Sequence, residues 1–310
     1  MTELDFDFLR VLLQRRSGLF LSTEKRYLVE SRLGMLCRRR GIAGIPALVA
    51  QLRICPASEL EAAVVDAMTT NETLFFRDRT PFDLFRDVIL PEKLASNAQS
   101  RTLRIWCAAV STGQEAYSLA MLLDEVADRL VGWTVEIVGT DISADVLERA
   151  RQGLYSQFEV QRGLPIQLLL KHFRQEGDKW RLSERIRDRV ELKQHNLLEP
   201  NHQFGQFDVI FCRNVLIYFD VPTKARVMAA LAARLAQNGA FLLGAAETVI
   251  GITTTLVPDP QYRGVYRDAA STAQARRPGF AAAAERGSAL PRSRPPGPDR
   301  WAIVPVFDEG

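Results

Sequence analysis

The sequence predicts an α/β protein with three parts: a Rossmann-like sheet domain, a helical domain before it, and an insertion of antiparallel strands within it. Three observations predict this. Apolar residues recur at helical spacing over residues 1–70, a strand–turn–helix unit occurs twice within 101–150, and beyond about residue 170 the pattern alternates as in half-exposed strands.

In the first part, Phe6, Leu9, Leu12 and Leu13 form one apolar face that ends near Gly18. From Ser22, a capping-type residue, Leu28, Leu33, Leu36 and Cys37 carry a second helix to Gly41. Pro46 starts a third helix through Leu48, Val49 and Leu52, and Pro56 with Ser58 starts a fourth through Leu60, Val64, Val65 and Met68. These helices define a domain over 1–80, whose last residues, Asn71–Arg79, link it to the next. A helix from Pro81 through Phe82, Leu84, Phe85, Val88 and Ile89 is expected to break at Pro91.

The sheet domain spans 81–268. Leu103–Val110 reads as a buried strand, Ser111-Thr112-Gly113 as a tight turn, and Glu115–Asp128 as a helix with Leu119, Leu122, Leu123 and Val126 on one face. Such a unit brings backbone amides and a helix N-terminus close to a ligand. Val135–Ile142 repeats the plan and ends in Asp141, ahead of a helix from Ser143. An acid there is placed to bind ribose hydroxyls, although a dinucleotide site or a plain helix cap reads the same way.

The rhythm then changes. After Gly153-Leu154-Tyr155 and a helical stretch near Leu164–Leu169, Lys171–Gln175, Lys179–Leu182 and Val190–Lys193 alternate, with Glu176-Gly177-Asp178 as a hairpin turn. This places an insertion over about 153–193. The strand near Val190–Leu192 leads to His195, Asn196 and Leu197, where Asn196 suits the amino edge of an adenine and His195 reads as a structural neighbour. Phe207–Cys212 is a further buried strand that presents Arg213, Asn214 and Tyr218 at its end. Pro222 opens a helix with Val227, Met228, Leu231 and Leu235 inside, ending at Asn238-Gly239. Ala240–Gly244 and Tyr262–Arg267 supply the last strands. Residues 269–310 turn to Ala, Pro, Arg, Gly and Ser, the composition of a disordered tail, and end in the apolar Trp301–Phe307.

Composition narrows the function classes. No apolar run reaches the roughly 18 residues of a membrane span, and the acidic N-terminus has no signal-peptide core, so a cytoplasmic protein without membrane insertion is expected. Four cysteines (Cys37, Cys55, Cys107, Cys212) and three histidines show no metal-ligand spacing, so no metal is expected. Forty basic against thirty-seven acidic residues gives no case for nucleic acid. Charge location says more: the polar face over Lys25–Arg40 carries Lys25, Arg26, Arg32, Arg38, Arg39 and Arg40 against Glu24 and Glu30. It is either a solvated surface or a docking face for an acidic helix.

Four blocks taken in order are specific: Asn71-Glu72-Thr73-Leu74-Phe75-Phe76-Arg77, Ser111-Thr112-Gly113, Gly139-Thr140-Asp141-Ile142, and Cys212-Arg213-Asn214-Val215-Leu216-Ile217-Tyr218-Phe219. With them the chain, from about residue 5 to 268, resembles the chemoreceptor glutamate methyltransferases of the CheR type. The resemblance implies an S-adenosylmethionine methyltransferase sheet, a small antiparallel β-subdomain as the insertion, and an N-terminal domain that meets the receptor's methylation helices. It implies S-adenosylmethionine as cofactor, S-adenosylhomocysteine as product, and glutamyl methyl ester formation on chemoreceptors. Asn71, Thr73 and Arg77 would line the cofactor from the N-terminal side, Glu115 its methionine end and Asp141 its ribose. Asn196 and Leu197 would flank the adenine, and Arg213 with Asn214 would close the pocket. Arg77, Arg213 and Tyr218 are the candidate catalytic residues, since a guanidinium can fork onto a carboxylate and the tyrosine can flank the transferred methyl. The short hairpin implies a form that does not depend on a tethering peptide. Nothing demands more than a monomer.

The chain departs from the family's loop, usually Ala-Gly-Cys-Ser-Thr-Gly-Glu-Glu-Pro-Tyr-Ser. Ala109 stands for glycine, Val110 for cysteine, Gln114 for glutamate and Ala116 for proline. A second function class therefore stays open, a cofactor-degenerate regulatory binding protein without turnover. A third, a nucleotide-dependent oxidoreductase, lacks its Gly-x-Gly-x-x-Gly turn.

Overall fold

A computed structural model of the chain describes residues 1–270. The expected tail over 269–310, with its Trp301–Phe307 patch, lies outside the described residues except for its first two.

Four helices open the chain: α1 (Glu3–Ser17), α2 (Arg26–Arg40), α3 (Ile45–Ile54) and α4 (Glu59–Met68). They bury the predicted faces, Phe6, Leu9, Leu12 and Leu13 against Leu33, Leu36, Leu48, Val64 and Met68, in a core of their own. Thr2 and Asp5 form a capping box that starts α1, and Gly18 ends it at φ 76.

α5 (Thr80–Leu84) runs through a π turn (Phe85–Ile89) into α6 (Leu90–Ser96). Pro91 therefore does not break the helix. It lies just past the π turn, in which the Leu90 amide donates to the Phe85 carbonyl, and that wide turn relieves the clash a proline brings.

The sheet domain follows with β1 (Thr102–Ala108), α7 (Gln114–Glu125), β2 (Thr134–Asp141) and α8 (Ala144–Gln152). α7 stops three residues before the predicted end and passes into a 3₁₀ turn, Ala127–Leu130. The insertion contributes β3 (Leu154–Ser156), α9 (Gln157–Gln161), α10 (Ile166–His172), β4 (Phe173–Glu176), β5 (Lys179–Leu182) and α11 (Glu184–Arg187). Its strands form an antiparallel sheet in the order β3-β5-β4, hinged on Gly177 at φ 63. The buried Asp124 at the end of α7 anchors it, accepting from Arg185 at 2.6 Å and Arg189 at 3.3 Å.

β6 (Val190–Gln194), β7 (Phe207–Cys212), α12 (Val221–Ala232), β8 (Leu235–Leu243), β9 (Leu256–Pro258) and β10 (Val265–Asp268) complete the described chain. The seven-stranded sheet has the order β6-β2-β1-β7-β8-β10-β9, with every strand parallel except β10, which runs against both its neighbours β8 and β9. Two readings are corrected here. The insertion expected over 153–193 ends earlier, because Val190–Gln194 pairs with β2 in the main sheet. α12 ends at Ala232, not at Asn238-Gly239, because Leu235 already pairs with Phe207, and Asn238, at φ 58, lies in the irregular stretch that shifts the β8 register.

Apolar residues cover both faces of the sheet, as buried parallel strands require. Strand order reverses between β1 and β7, so the loops after them diverge and leave a crevice at their C-terminal ends. The helical domain closes over that crevice: Leu19 bridges to Phe219, and the Phe20 amide donates to the Tyr218 carbonyl at 2.8 Å.

Candidate active site

The crevice holds a cavity of about 110 Å³ that opens to solvent. All the predicted site residues line it: Asn71, Thr73, Arg77, Glu115, Asp141, Asn196, Leu197, Arg213, Asn214 and Tyr218. They arrive from five separate chain segments, so the sheet topology assembles them.

The loop after β1 forms the floor. Val110 donates to the Thr140 carbonyl at 2.8 Å, and the Ser111 amide donates to Asp141 Oδ2 at 2.8 Å. Asp141 Oδ1 accepts the Ser143 amide at 3.0 Å. The acid thus shapes the turn and caps the next segment while each oxygen keeps a lone pair for a hydroxyl. Burial pushes its carboxyl up, and these amide donors oppose the shift. Ser111 Oγ donates to the Asn71 carbonyl at 2.8 Å, which ties the interdomain linker to the floor.

The four departures from the family loop can be judged by their packing. Ala109 sits at φ 67, the left-handed region where an alanine costs about 1–2 kcal/mol. Val110 fills the space left by Gly139, where an added Cβ would meet Val110 Cγ2 at 3.1 Å. Gln114 is 1% exposed and accepts from Thr112 Oγ1 at 2.8 Å, so a neutral side chain suits its burial. Ala116 is fully buried in α7. Gly113 is retained where only glycine fits, at φ 94 with an added Cβ 2.6 Å from the Tyr117 ring.

The two arginines separate clearly. Arg213 is buried and its fork is filled: Nη1 donates to Glu115 Oε2 at 2.8 Å, and Nη2 to Asp78 Oδ2 and the Arg77 carbonyl, each at 2.8 Å. Its guanidinium also lies 5.6 Å from the Phe82 ring centroid, and its Nε, buried, has no partner among the described residues. The expectation that Arg213 offers its fork to a substrate carboxylate is therefore corrected: Glu115 and Asp78 already hold it. Arg77 is half-buried and, among the described residues, spends only Nη1, on the Glu72 carbonyl at 2.9 Å. Burial pushes the Glu115 carboxyl up, against the pull of Arg213.

Asn196 is engaged across the domain boundary, with Nδ2 donating to the Arg16 carbonyl at 2.6 Å and Oδ1 accepting the Leu198 amide at 3.0 Å. His195, also lining the cavity, packs edge-on to Phe204 and near Trp106, and burial pushes its pKa down. Tyr218 is half-buried at the wall.

Sequence reasoning missed Ser17, Leu19, Thr69, Thr70 and Phe219, which line the cavity from the helical domain and the Tyr218 loop. Only the docking of the two domains brings them there, and no local pattern marks it. It also missed Glu247, whose carboxylate holds the loop after β7.

The donor set fits S-adenosylmethionine. Three carboxylates (Glu72, Glu115, Asp141) face two guanidiniums (Arg77, Arg213) in the lining, an excess of acid that suits a cationic cofactor. Asp141 keeps acceptor capacity for a ribose, and Arg77 keeps donors for a carboxylate.

The polar face of α2 is partly spent on structure. Arg26 pairs with Glu3 at 2.7 Å and Glu30 at 3.4 Å, and Arg32 donates to the carbonyls of Met68 and Thr69. Lys25, Arg38, Arg39 and Arg40 are exposed. Among the described residues no helix is long and apolar enough to cross a membrane.

Comparison with known proteins agrees with this geometry. Residues 4–69 match the family described as CheR methyltransferase, all-alpha domain, and residues 71–259 match CheR methyltransferase, SAM binding domain. The chemotaxis protein methyltransferase Cher2 of Pseudomonas putida is 40% identical over 253 residues, 80% of this chain and 92% of that protein. Chemotaxis protein methyltransferase 1 of Pseudomonas aeruginosa is 41% identical over 249 residues, 79% and 90% of the two chains. The protein of the same description from Vibrio cholerae is 40% identical over 250 residues, 80% and 90%. The chain belongs to the CheR methyltransferase family.

Proposed function

We propose that this protein is an S-adenosylmethionine-dependent methyltransferase that forms glutamyl methyl esters on the cytoplasmic helices of chemoreceptors. The observation that carries the reading is the convergence of Asp141, Glu115, Arg77 and Tyr218 on one cavity beneath the helical domain. Bound there, the cofactor supplies an electrophilic methyl carbon on a sulfonium. A glutamate acceptor, with a pKa of about 4.3, is already anionic near neutral pH, so the site needs no strong general base. Its task is to hold an anion in line with a cation in a space the helical domain shields from water.

In this reading Asp141 takes the ribose, and Asn196 with Leu197 flanks the adenine. Asn71 and Thr73 line the cofactor from the linker, and Asn214 closes the pocket. Arg77, with donors in hand, orients a carboxylate. Arg213 acts behind Glu115, fixing that acid toward the cofactor's amino-acid end. Tyr218 stands at the wall where the acceptor enters. The exposed Lys25, Arg38, Arg39 and Arg40 steer an acidic helical substrate toward the mouth. The protein works in the cytoplasm as a monomer, without a peptide tether.

The regulatory reading without turnover has the strained Ala109 in its favour. It has the seated Val110 and Gln114 and the intact Ser111–Asp141 contact against it. The test is transfer of labelled methyl from S-adenosylmethionine to receptor cytoplasmic fragments. Base-labile label on glutamate is the expected result, and unlabelled receptor in the presence of bound cofactor would return the regulatory reading.

A further inference from the structure

Glu247 lies outside the cavity lining and in none of the four sequence blocks, yet its carboxylate uses all its acceptor positions at the site's edge. It follows β8, in a turn closed by its own amide donating to the Gly244 carbonyl at 3.0 Å. Oε2 accepts the Asn214 amide at 2.8 Å and the Gly244 amide at 2.8 Å. Oε1 accepts the Leu216 amide at 2.8 Å and the Val215 amide at 3.0 Å.

Three successive amides, Asn214 to Leu216, thus point at one anion. Asn214 is left-handed at φ 60 and Val215 has φ −121 and ψ −38, so the backbone forms a concavity of the kind that binds anions. The chain fills it with its own carboxylate. Gly244 makes the close approach possible, since a Cβ there would stand 2.8 Å from Glu247 Oε2 and 2.9 Å from Asn214 Nδ2.

The three amides lie between Arg213, which holds Glu115, and Tyr218, whose 3₁₀ turn begins at Leu216. Without the carboxylate, four amides, those of Asn214, Val215, Leu216 and Gly244, lose their acceptor, and the left-handed turn at Asn214 loses what balances its strain.

We propose that Glu247 is a positioning residue for methyl transfer: its carboxylate clamps the Asn214–Leu216 backbone and so sets Tyr218 at the reacting end of the cavity, while Arg213 is held separately by Glu115 and Asp78. This rests on the reading of that cavity as a methyl-transfer site. The floor that carries Ser111 and Asp141 is built on β1 and β2 and does not depend on the clamp. Glu247 therefore affects turnover far more than cofactor affinity.

The experiment compares the full chain with Glu247→Gln and Gly244→Ala, measuring kcat on a receptor fragment, S-adenosylhomocysteine affinity by calorimetry, and thermal unfolding. Glutamine keeps the shape but turns an amide NH2 toward backbone donors, and Gly244→Ala displaces the carboxylate without deleting it. The expected result for Glu247→Gln is a kcat lower by about 10- to 100-fold, as a displacement near 1 Å produces. Its S-adenosylhomocysteine Kd should stay within about threefold of the parent, less than half of a tenfold step in free energy. Gly244→Ala should show the same split in smaller degree. A folded Glu247→Gln protein with the parent's kcat, or one that loses affinity and turnover in proportion, would overturn the proposal. If Glu247→Gln does not fold, Gly244→Ala decides by the same criterion. A parent protein that neither binds cofactor nor transfers methyl overturns the methyl-transfer reading itself, and the clamp's role with it.

Discussion

The amide of Ser111 donates to Asp141 Oδ2 at 2.8 Å, so the acid that ends β2 also shapes the loop that ends β1. One carboxylate builds the floor of the cavity and offers its remaining lone pairs to the ligand. Asp141→Ala removes both functions. S-adenosylhomocysteine affinity should fall by about tenfold or more, the worth of a hydrogen bond to a charged group, with calorimetry as the measurement.

Ala109 stands at φ 67, where its methyl is costly. Ala109→Gly should stabilise the protein by about 1 kcal/mol. Thermal unfolding should then rise by about 2–4 °C. An unchanged midpoint would mean that the loop already relaxes the strain.

The lining of the cavity was largely legible in the sequence, because its residues sit at strand ends in short motifs. Asp141 follows an apolar strand and precedes a helix, and Arg213 with Asn214 does the same after Phe207–Cys212. What was not legible depends on tertiary packing. The occupation of Arg213 by Glu115 and Asp78 joins residues 98 and 135 positions apart. The roof at Ser17 and Leu19 exists only because Phe20 pairs with Tyr218. The end of α12 was misplaced because pairing of Leu235 with Phe207 overrides a helical pattern that continues through the sequence. Pro91 misled for a local reason, a π turn that spacing does not reveal.

Arg213 and Arg77 should respond differently to mutation. Arg213→Met leaves Glu115, whose side chain is only 12% exposed, without its partner and should cost about 3–5 kcal/mol of stability, read from denaturant unfolding. Arg77→Ala removes a half-buried side chain bonded, among the described residues, only to the Glu72 carbonyl, and should change stability by no more than about 0.5 kcal/mol. Its effect should appear in cofactor affinity and turnover instead. Equal stability losses would contradict the separation drawn here.

Two buried histidines give the fold an acid sensitivity. Burial pushes His172 and His195 down from the ordinary 6.5. The unfolded chain takes up their protons first, so their contribution to stability is full above about pH 6.5 and is lost as pH falls below it. Burial pushes Glu115 and Asp141 the other way, from ordinary values of 4.5 and 3.8. Those acids favour the folded state at low pH and lose that contribution as pH rises through their raised values. Unfolding midpoints should therefore drop as pH falls just below 6.5, and less steeply in His172→Gln. A His172→Gln profile parallel to the parent's would exclude that residue as a source.

The cavity beneath the helical domain is assigned to S-adenosylmethionine although Ala109 strains its floor. Calorimetric titration of the full chain with S-adenosylhomocysteine tests this most directly. The expected result is saturable one-to-one binding in the micromolar range, about 8 kcal/mol of free energy. A folded sample that shows no binding would contradict the assignment.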